Sequence, residues 1–304
     1  MMAHEGSTKA IIAALIANLG IAITKFIAYL ISGAASMLAE SVHSLADTTN
    51  QFLLIIGGKQ AKKAASAEHP FGYGRSRYVY AFIVSVVLFT VGGMFSIYEG
   101  LDKLQHPHEL ENIWIPIIVL IIGILLEGYS LRTAIRESRP FKGNRSWFQF
   151  IRRAKSPELP VVLLEDTAAE LGLLFALLGV GLSAITGNPV WDAIATLAIG
   201  GLLVVVAIIL GLEMASLLIG EGASQADVYK IRKALQSVSG VTQVIHMKTL
   251  FLGPEELMLA AKIGVKKNAT GLEIAETIDR AEAAVREEVP VTRVIYLEPD
   301  IPRN

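Results

Sequence analysis

Two pairs of ionisable residues lie four positions apart within apolar stretches of this sequence. His43 and Asp47 interrupt the run from about 34 to 58, and Asp166 and Glu170 interrupt the run from about 160 to 186. A four-residue spacing puts both members of a pair on one face of a helix. Imidazole and carboxylate groups in this arrangement are typical ligands of a divalent first-row metal, zinc first, with manganese, iron(II) or cobalt as alternatives.

The composition predicts that these pairs lie in a membrane. The 304 residues are 53% hydrophobic and only 18% charged, with a mean hydropathy of +0.51. A soluble domain is less apolar than this. At membrane depth a charged side chain costs roughly 2.5 to 3.5 kcal/mol, so it is usually paired, cavity-facing or functional. The formal net charge of -1 gives no indication of nucleic-acid binding, and the lack of cysteine excludes thiolate ligands and disulfides.

Six stretches are long and apolar enough to cross a bilayer as helices, which needs roughly twenty residues each. Turn-forming residues separate them, including Ser32-Gly33, Arg139-Pro140 and Gly187-Asn-Pro189. The first stretch is interpreted as a span and not as a signal peptide. The predicted spans are 10–32, 35–58, 77–103, 112–136, 160–186 and 190–219.

The distribution of lysine and arginine predicts the orientation. The segments 59–77 and 132–155 are rich in basic residues, whereas the alternate loops contain Lys103 alone. By the positive-inside rule the basic segments and both termini are cytoplasmic. No targeting segment is evident, so a prokaryotic inner membrane is the expected location. These features predict a multi-pass integral membrane protein.

After about residue 220 the pattern becomes that of a soluble domain. We therefore predict a transmembrane domain over 1–220 and a cytoplasmic α+β domain over 221–304. Ser224 with Asp227, and Thr270 with Glu273, have the spacing of helix N-terminal capping boxes. Residues 241–252, 257–265 and 291–297 are predicted to be strands, which gives the order αββαβ. A layer of this kind has a helix face or sheet edge on which a second copy can pair.

Helix direction and rise predict that the two ionisable pairs meet. With 1.5 Å per residue, Glu170 lies roughly 15 Å from the cytoplasmic end of its helix. His43 lies roughly 13 Å from the external end of the antiparallel second helix. His43 then falls near the level of Glu170, and Asp47 near that of Asp166. One imidazole and three carboxylates could form a single metal site, or alternatively structural buried pairs or a proton path without metal.

The chain resembles the cation diffusion facilitator family over nearly its whole length. The strings Leu38-Ala-Glu-Ser-Val-His-Ser-Leu-Ala-Asp47 and His69-Pro-Phe-Gly-Tyr-Gly-Arg75 are similar to the second span and second cytoplasmic loop of that family. The string Leu164-Glu-Asp-Thr-Ala-Ala169 resembles the branch that includes the mitochondrial zinc transporter of animals. The fifth-span pair departs from the usual histidine or aspartate followed by aspartate, since Asp166 is followed by Glu170.

The resemblance implies a homodimer that exports zinc or a similar divalent ion, commonly in exchange for protons. By position, it implies that His43, Asp47, Asp166 and Glu170 bind the metal. Transport needs no prosthetic group, and the chain is not expected to be an enzyme. A membrane-embedded metalloenzyme and a non-transporting scaffold remain alternative classes. Participation of Glu165, Asn50 and His69 is left open by the sequence.

Two further ionisable residues have predicted roles. Lys25 lies near the expected level of Glu40 and His43, and a structural ion pair or a snorkelling lysine is favoured over a transport role. In the carboxy-terminal domain His246 is alone, with Tyr296 on the final strand where the family often has histidine. The domain is therefore predicted to dimerise without a full binuclear metal site.

Overall fold

The structure, a computed structural model, describes residues 18–301. The described residues form two compact units. The first contains the residues up to Gly58 and Val79–Met214, and the second contains Lys59–Tyr78 and the residues from Ala215 onward. Residues 10–17, with which the first predicted span begins, lie outside the described residues.

Helices make up the first unit, and they follow the predicted spans closely. Four of these spans are helices long and apolar enough to cross a membrane. Helix α1 is described over Asn18–Ser32, and α2, which carries His43 and Asp47, is long but too polar to meet the same criterion. The count of six spans therefore stays a prediction. The bounds are α1 Asn18–Ser32, α2 Ala35–Ala61, α3 Ser76–Val87 continuing through a π-helical segment Leu88–Met94 into α4 Phe95–Gln105, α5 Trp114–Lys142, α6 Trp147–Arg153, α7 Glu158–Thr186 and α8 Val190–Ile219.

The C-terminal end of α5 differs from the prediction. Arg139-Pro140 was expected to end the helix, but α5 continues through Pro140 to Lys142. Pro140 removes a single backbone hydrogen bond, the one to the Arg136 carbonyl, and any bend that its ring causes displaces only the two helical residues that follow. Helix α6 was also not predicted; its Ser146–Gln149 capping box starts a single short helix. Phe150 and Ile151 of α6 are buried in a cluster with residues of α5 and α7.

Glycine allows the third span to approach α8 closely. A Cβ on Gly93, in the π-helical segment, would lie 2.7 Å from the Val204 side chain. A Cβ on Gly200 would lie 2.8 Å from the backbone nitrogen of Ile97. Side chains at these positions would force the helices apart, so small residues determine the packing here, as in other membrane bundles.

The first turn of α2 is capped by a residue from α8. Asp192 is fully buried, and its carboxylate accepts hydrogen bonds from the Ala35 amide at 2.7 Å and from both the amide and the hydroxyl of Ser36. Lys103 donates to the carbonyl oxygen of Gly33 in the preceding turn at 2.8 Å. A carboxylate at a helix N-terminus satisfies amides that have no partner within the helix. These contacts hold the N-terminal end of α2 at a fixed level against α8.

The second unit contains the predicted αββαβ layer. Its elements are α9 Gln225–Ser237, β1 Gln243–Gly253, β2 Glu256–Gly264, α10 Gly271–Glu288 and β3 Thr292–Asp300. The sheet order is β1-β2-β3, with β1 antiparallel and β3 parallel to the central strand β2. Both helices pack on the sheet through Ile231 and Leu235 of α9 and Ala281 and Val285 of α10, which are buried with Leu259.

Both predicted N-terminal caps are present in this layer. The Ser224 hydroxyl accepts from the Asp227 amide, and Thr270 and Glu273 form a reciprocal capping box. Hydrogen bonds from Thr270 lower the pKa of Glu273, so the carboxylate stays ionised at the positive end of the helix. The segment 59–78 belongs to the same unit, where a Cβ on Gly74 would lie 2.7 Å from the carbonyl oxygen of Leu252.

Replacing Asp192 with Ala is expected to destabilise the protein. The change removes an N-cap and leaves buried amides unpaired, which costs about 2 kcal/mol. For a chain of this size that corresponds to a drop in Tm of roughly 4 °C or more. Thermal unfolding of the purified protein measures it. Asp102→Ala is the matched control, because Asp102 is 54% exposed and bonds only to exposed His106 among the described residues. Equal Tm values for the two variants would show that Asp192 does not hold α2.

Candidate functional site

The polar faces of α2 and α7 oppose each other. Asn50 of α2 donates a buried hydrogen bond of 2.7 Å to the Glu165 carboxylate of α7. Nearer the other end of the contact, Gly172 of α7 lies against the Glu40 carboxylate of α2. Because the later residue of α2 meets the earlier residue of α7, the helices are antiparallel. The prediction that the four-residue pairs lie at matching levels is consistent with this register.

His43 and Asp47 form a close pair on α2. The His43 side chain is 1% exposed and that of Asp47 is 17% exposed, and the His43 Nδ1 lies 3.5 Å from the Asp47 Oδ1. Neither imidazole nitrogen has a hydrogen-bond partner within residues 18–301. A buried imidazole without a partner is costly in a protein interior. This pair is therefore available to bind a ligand.

A cavity of about 90 Å³ lies where α1, α2, α5 and α7 meet. One water molecule needs roughly 10 to 15 Å³ of such space, so several waters or a hydrated cation fit. Asp47 and Asp166 both line the cavity, which brings one member of each predicted pair to the same space. The polar residues of its wall are Asn18, Ser44, Asp47, Gln51, Glu127, Ser130, Glu165 and Asp166.

The other two predicted ligands lie outside the wall of this cavity. His43 lies behind Asp47, and Glu170 points towards α5, where a Cβ on Gly128 would be 3.7 Å from its carboxylate. In the described part of the chain, no three histidine or acidic side chains form a ready metal site. The structure thus brings Asp47 to Asp166 and His43 to Asp47, but does not bring all four groups to one point. The four-ligand site stays a prediction.

Two carboxylates on the cavity wall were not among the predicted ligands. Glu165 is 4% exposed and hydrogen-bonded to Asn50. Two of the three residues whose participation the sequence left open are therefore in contact. Glu127 is partly buried on α5. Glu165 is adjacent in sequence to the predicted ligand Asp166, so the sequence alone could have identified it as a site residue. Glu127 is a single acid in an apolar helix, and no spacing pattern marks it. Asp166 itself accepts a hydrogen bond of 2.9 Å from the Ser130 hydroxyl of α5.

Lys25 forms the predicted ion pair. Its ammonium group donates to Glu40 and to the Ser44 hydroxyl, each at 2.9 Å, and both charged side chains are at most 1% exposed. The ammonium group thus uses two of its three hydrogens, and the buried charge of Glu40 is compensated, although its Oε1 has no hydrogen-bond partner among the described residues. This pair attaches α1 to α2 one turn from His43.

The remaining candidate ligands lie in the second unit. His69 is exposed and packs edge-on against the Tyr73 ring, with centroids 4.5 Å apart. His246 is exposed on β1, opposite Lys262 of β2. Lys262 contacts Glu298 at 2.8 Å and Asp300 at 3.4 Å, and the hydrogen bond to Glu298 raises the pKa of Lys262. The lysine beside the histidine thus contacts the two neighbouring carboxylates, which could otherwise act with His246 as ligands.

Comparison with known proteins gives matches over most of the chain. The sequence model described as Cation efflux transmembrane domain matches residues 11–219, and that described as Cation efflux protein, cytoplasmic domain matches residues 223–300. Proton-coupled zinc antiporter SLC30A9, mitochondrial, of Mus musculus is 32% identical over 262 residues, or 85% of this chain and 46% of that protein. Metal tolerance protein C4 of Arabidopsis thaliana is 32% identical over 261 residues, covering 85% and 57%.

The chain spans about half the length of these two relatives. Among solved structures, a variant of the MamM carboxy-terminal domain matches 26% of this chain and 95% of its own length. The sequence identity is 25% and the TM-score is 0.25.

Replacing Lys25 with Met is expected to destabilise the protein strongly, by about 3 to 5 kcal/mol, because Glu40 is left buried and uncompensated. The double variant Lys25→Met with Glu40→Gln removes both charges and is expected to recover more than half of the loss in Tm. Thermal unfolding of the single and double variants measures this coupling. Additive losses would show that the two side chains do not act as a pair.

Proposed function

Since the chain belongs to the cation efflux family, we propose that it exports a divalent cation, zinc first, in exchange for protons. The observation that carries this proposal is the cavity between α2, α5 and α7, which is lined by Asp47, Asp166 and two further carboxylates. A cavity with several carboxylates at membrane depth needs positive charge in it, either as protons or as a cation.

The chemistry of these groups supports exchange. Carboxylates and imidazole bind a metal only when deprotonated, so metal binding releases protons and protons displace the metal. In the proposed cycle, the cation enters from the cytoplasm and is bound by Asp47 and Asp166. His43 and Glu170 complete the set when the helices close around the cation. Protons from the opposite side then displace the metal, and the helices return.

The preference among metals is part of the proposal. The mouse relative is named as a proton-coupled zinc antiporter. An imidazole with carboxylates is also a common zinc ligand set. Manganese, iron(II) and cobalt are the alternative substrates, because carboxylate-rich sites also accept them. Family membership favours transport over the two rival classes, a membrane-embedded metalloenzyme and a non-transporting scaffold.

The assembly and orientation follow from the same premise. We propose a homodimer in which the carboxy-terminal αββαβ domain pairs, with the domain boundary at residues 220 and 221. The model that matches residues 223–300 is named ZT_dimer and is described as cytoplasmic, which supports both the pairing and cytoplasmic termini. Sedimentation equilibrium of the solubilised protein tests the dimer. The relatives named above include a mitochondrial one, so a bacterial inner membrane and an organellar membrane are both compatible with the proposal.

Asp47→Ala and Asp166→Ala are each expected to abolish zinc-dependent proton movement in proteoliposomes. Each change removes a carboxylate from the cavity wall, and loss of one ligand or its support typically lowers metal affinity about 10- to 100-fold or more. Zinc- and pH-sensitive dyes report the two fluxes together. Asp102→Ala, in an exposed position, serves as the control and is expected to transport normally.

Full flux in both cavity variants would contradict the site. Substrate turnover without net ion movement would favour an enzyme, and neither activity in the wild type would favour a scaffold. Competition of zinc transport by manganese, iron(II) and cobalt ranks the metals in the same assay.

A further inference from the structure

Helix α5 brings a carboxylate to the cavity from a third direction. Glu127 lines the same space as Asp47 of α2 and Asp166 of α7. Helix α5 is fixed along α7 here by the hydrogen bond from Ser130 to Asp166, and Ser130 lies one turn beyond Glu127 on the same helix. The position of α5 against α7 therefore places Glu127, which is half-buried, at the cavity wall.

The Glu127 carboxylate has no hydrogen-bond or ion-pair partner among residues 18–301, whereas its acidic neighbours have one each. Glu165 accepts from Asn50, and Asp166 accepts from Ser130. The nearest fixed cation, Lys25, is already bonded to Glu40 and Ser44. A carboxylate at membrane depth without a protein partner is expensive, and such residues commonly contact a substrate or ion.

A second side chain with unused ligating atoms lies next to this cavity, behind Asp47. His43 is 1% exposed, both of its ring nitrogens lack a hydrogen-bond partner in the described chain, and its Nδ1 lies 3.5 Å from the Oδ1 of Asp47. The Asp47 side chain forms the part of the cavity wall that lies next to His43. The His43 imidazole behind Asp47 and the Glu127 carboxylate on the α5 side thus both have metal-ligating atoms that make no hydrogen bond to the described protein.

The donor atoms on the cavity wall itself are oxygens and amide groups. Carboxylates come from three helices, and hydroxyl and amide side chains such as Ser130 and Gln51 complete the polar lining. Manganese(II) prefers several oxygen ligands, whereas zinc is satisfied by four ligands and favours nitrogen and sulfur. Removing one oxygen donor should therefore affect manganese more than zinc.

We propose that Glu127 is a specificity-determining residue that binds the transported cation from α5 and allows the site to accept manganese(II) beside zinc. This inference rests on the proposed transport function. It adds a ligand from a third helix and an effect of that ligand on the acceptance of manganese. Glu127 contacts the cation directly, and its loss leaves the ligands on α2 and α7 in place.

The experiment compares zinc and manganese transport by the full-length protein in proteoliposomes. Glu127→Gln keeps the size of the side chain and removes the charge. The ratio of manganese to zinc transport efficiency is expected to fall about tenfold, the lower end of the loss typical for groups that support a metal. Glu99→Gln is the matched control, because Glu99 is also a partly buried glutamate in a membrane helix but does not line this cavity. Its ratio is expected to equal that of the wild type.

Several outcomes would overturn the inference. One is an unchanged ratio of manganese to zinc transport in Glu127→Gln, either because both metals are lost equally or because neither is affected. Another is a wild-type protein that does not transport manganese. Glu127→Asp is included in case Glu127→Gln fails to fold, because it keeps the negative charge and only moves the carboxylate oxygens away from the cavity by one methylene. An intermediate fall of about threefold is expected for it, and an unchanged ratio contradicts the proposal. Asp47→Ala, measured in parallel, distinguishes failure of the proposed transport site from failure of the proposal for Glu127. If Asp47→Ala still transports, the transport site is refuted. If Asp47→Ala is inactive and the metal ratio of Glu127→Gln is unchanged, only the role of Glu127 is refuted.

Discussion

The buried hydrogen bond from Asn50 to Glu165 sets the level of α2 against α7, at 2.7 Å and out of contact with water. In a membrane there is no hydrophobic force between helices, so hydrogen bonds and close packing determine how they associate. With this bond in place, Asp47 and Asp166 reach the same cavity from opposite helices. A shift of one turn, about 5.4 Å, would separate them. The register of these two helices is the condition on which a shared cation site depends.

The charges in the helical unit fall into two groups that differ in their hydrogen bonding. Lys25 with Glu40, and Asp192 with the first turn of α2, are fully buried and bonded to fixed protein groups. They hold α1 and α8 to α2, one in the second turn of the helix and one at its N-terminal end. His43 is also buried and Glu127 is half-buried, and neither side chain has a hydrogen-bond partner in the described chain. Groups of the first kind stabilise the bundle, and groups of the second kind surround the space where a cation would bind.

Much of this arrangement could be predicted from the sequence, because it depends on helix periodicity. The spans, the antiparallel levels of α2 and α7 and the αββαβ order follow from apolar length, rise per residue and capping residues. Side-chain direction around a helix axis is harder to predict. Glu170 turns towards α5, and Glu165 takes its place on the cavity wall. Glu127 and Asp192 are single acids without a pattern, and only the packing of distant helices gives them a role. The interpretation of Pro140 as a helix end was wrong, because a proline near the end of a helix costs one hydrogen bond to the preceding turn and bends only the few residues that follow.

Anomalous diffraction from crystals of the zinc-loaded full-length protein tests the central claim most directly, namely that α2 and α7 jointly bind the transported cation. The account predicts an ion within the membrane-spanning bundle, with oxygens of both Asp47 and Asp166 at about 2.0 to 2.2 Å. Zinc found only in the carboxy-terminal domain, or bound by one of the two helices without the other, would contradict it.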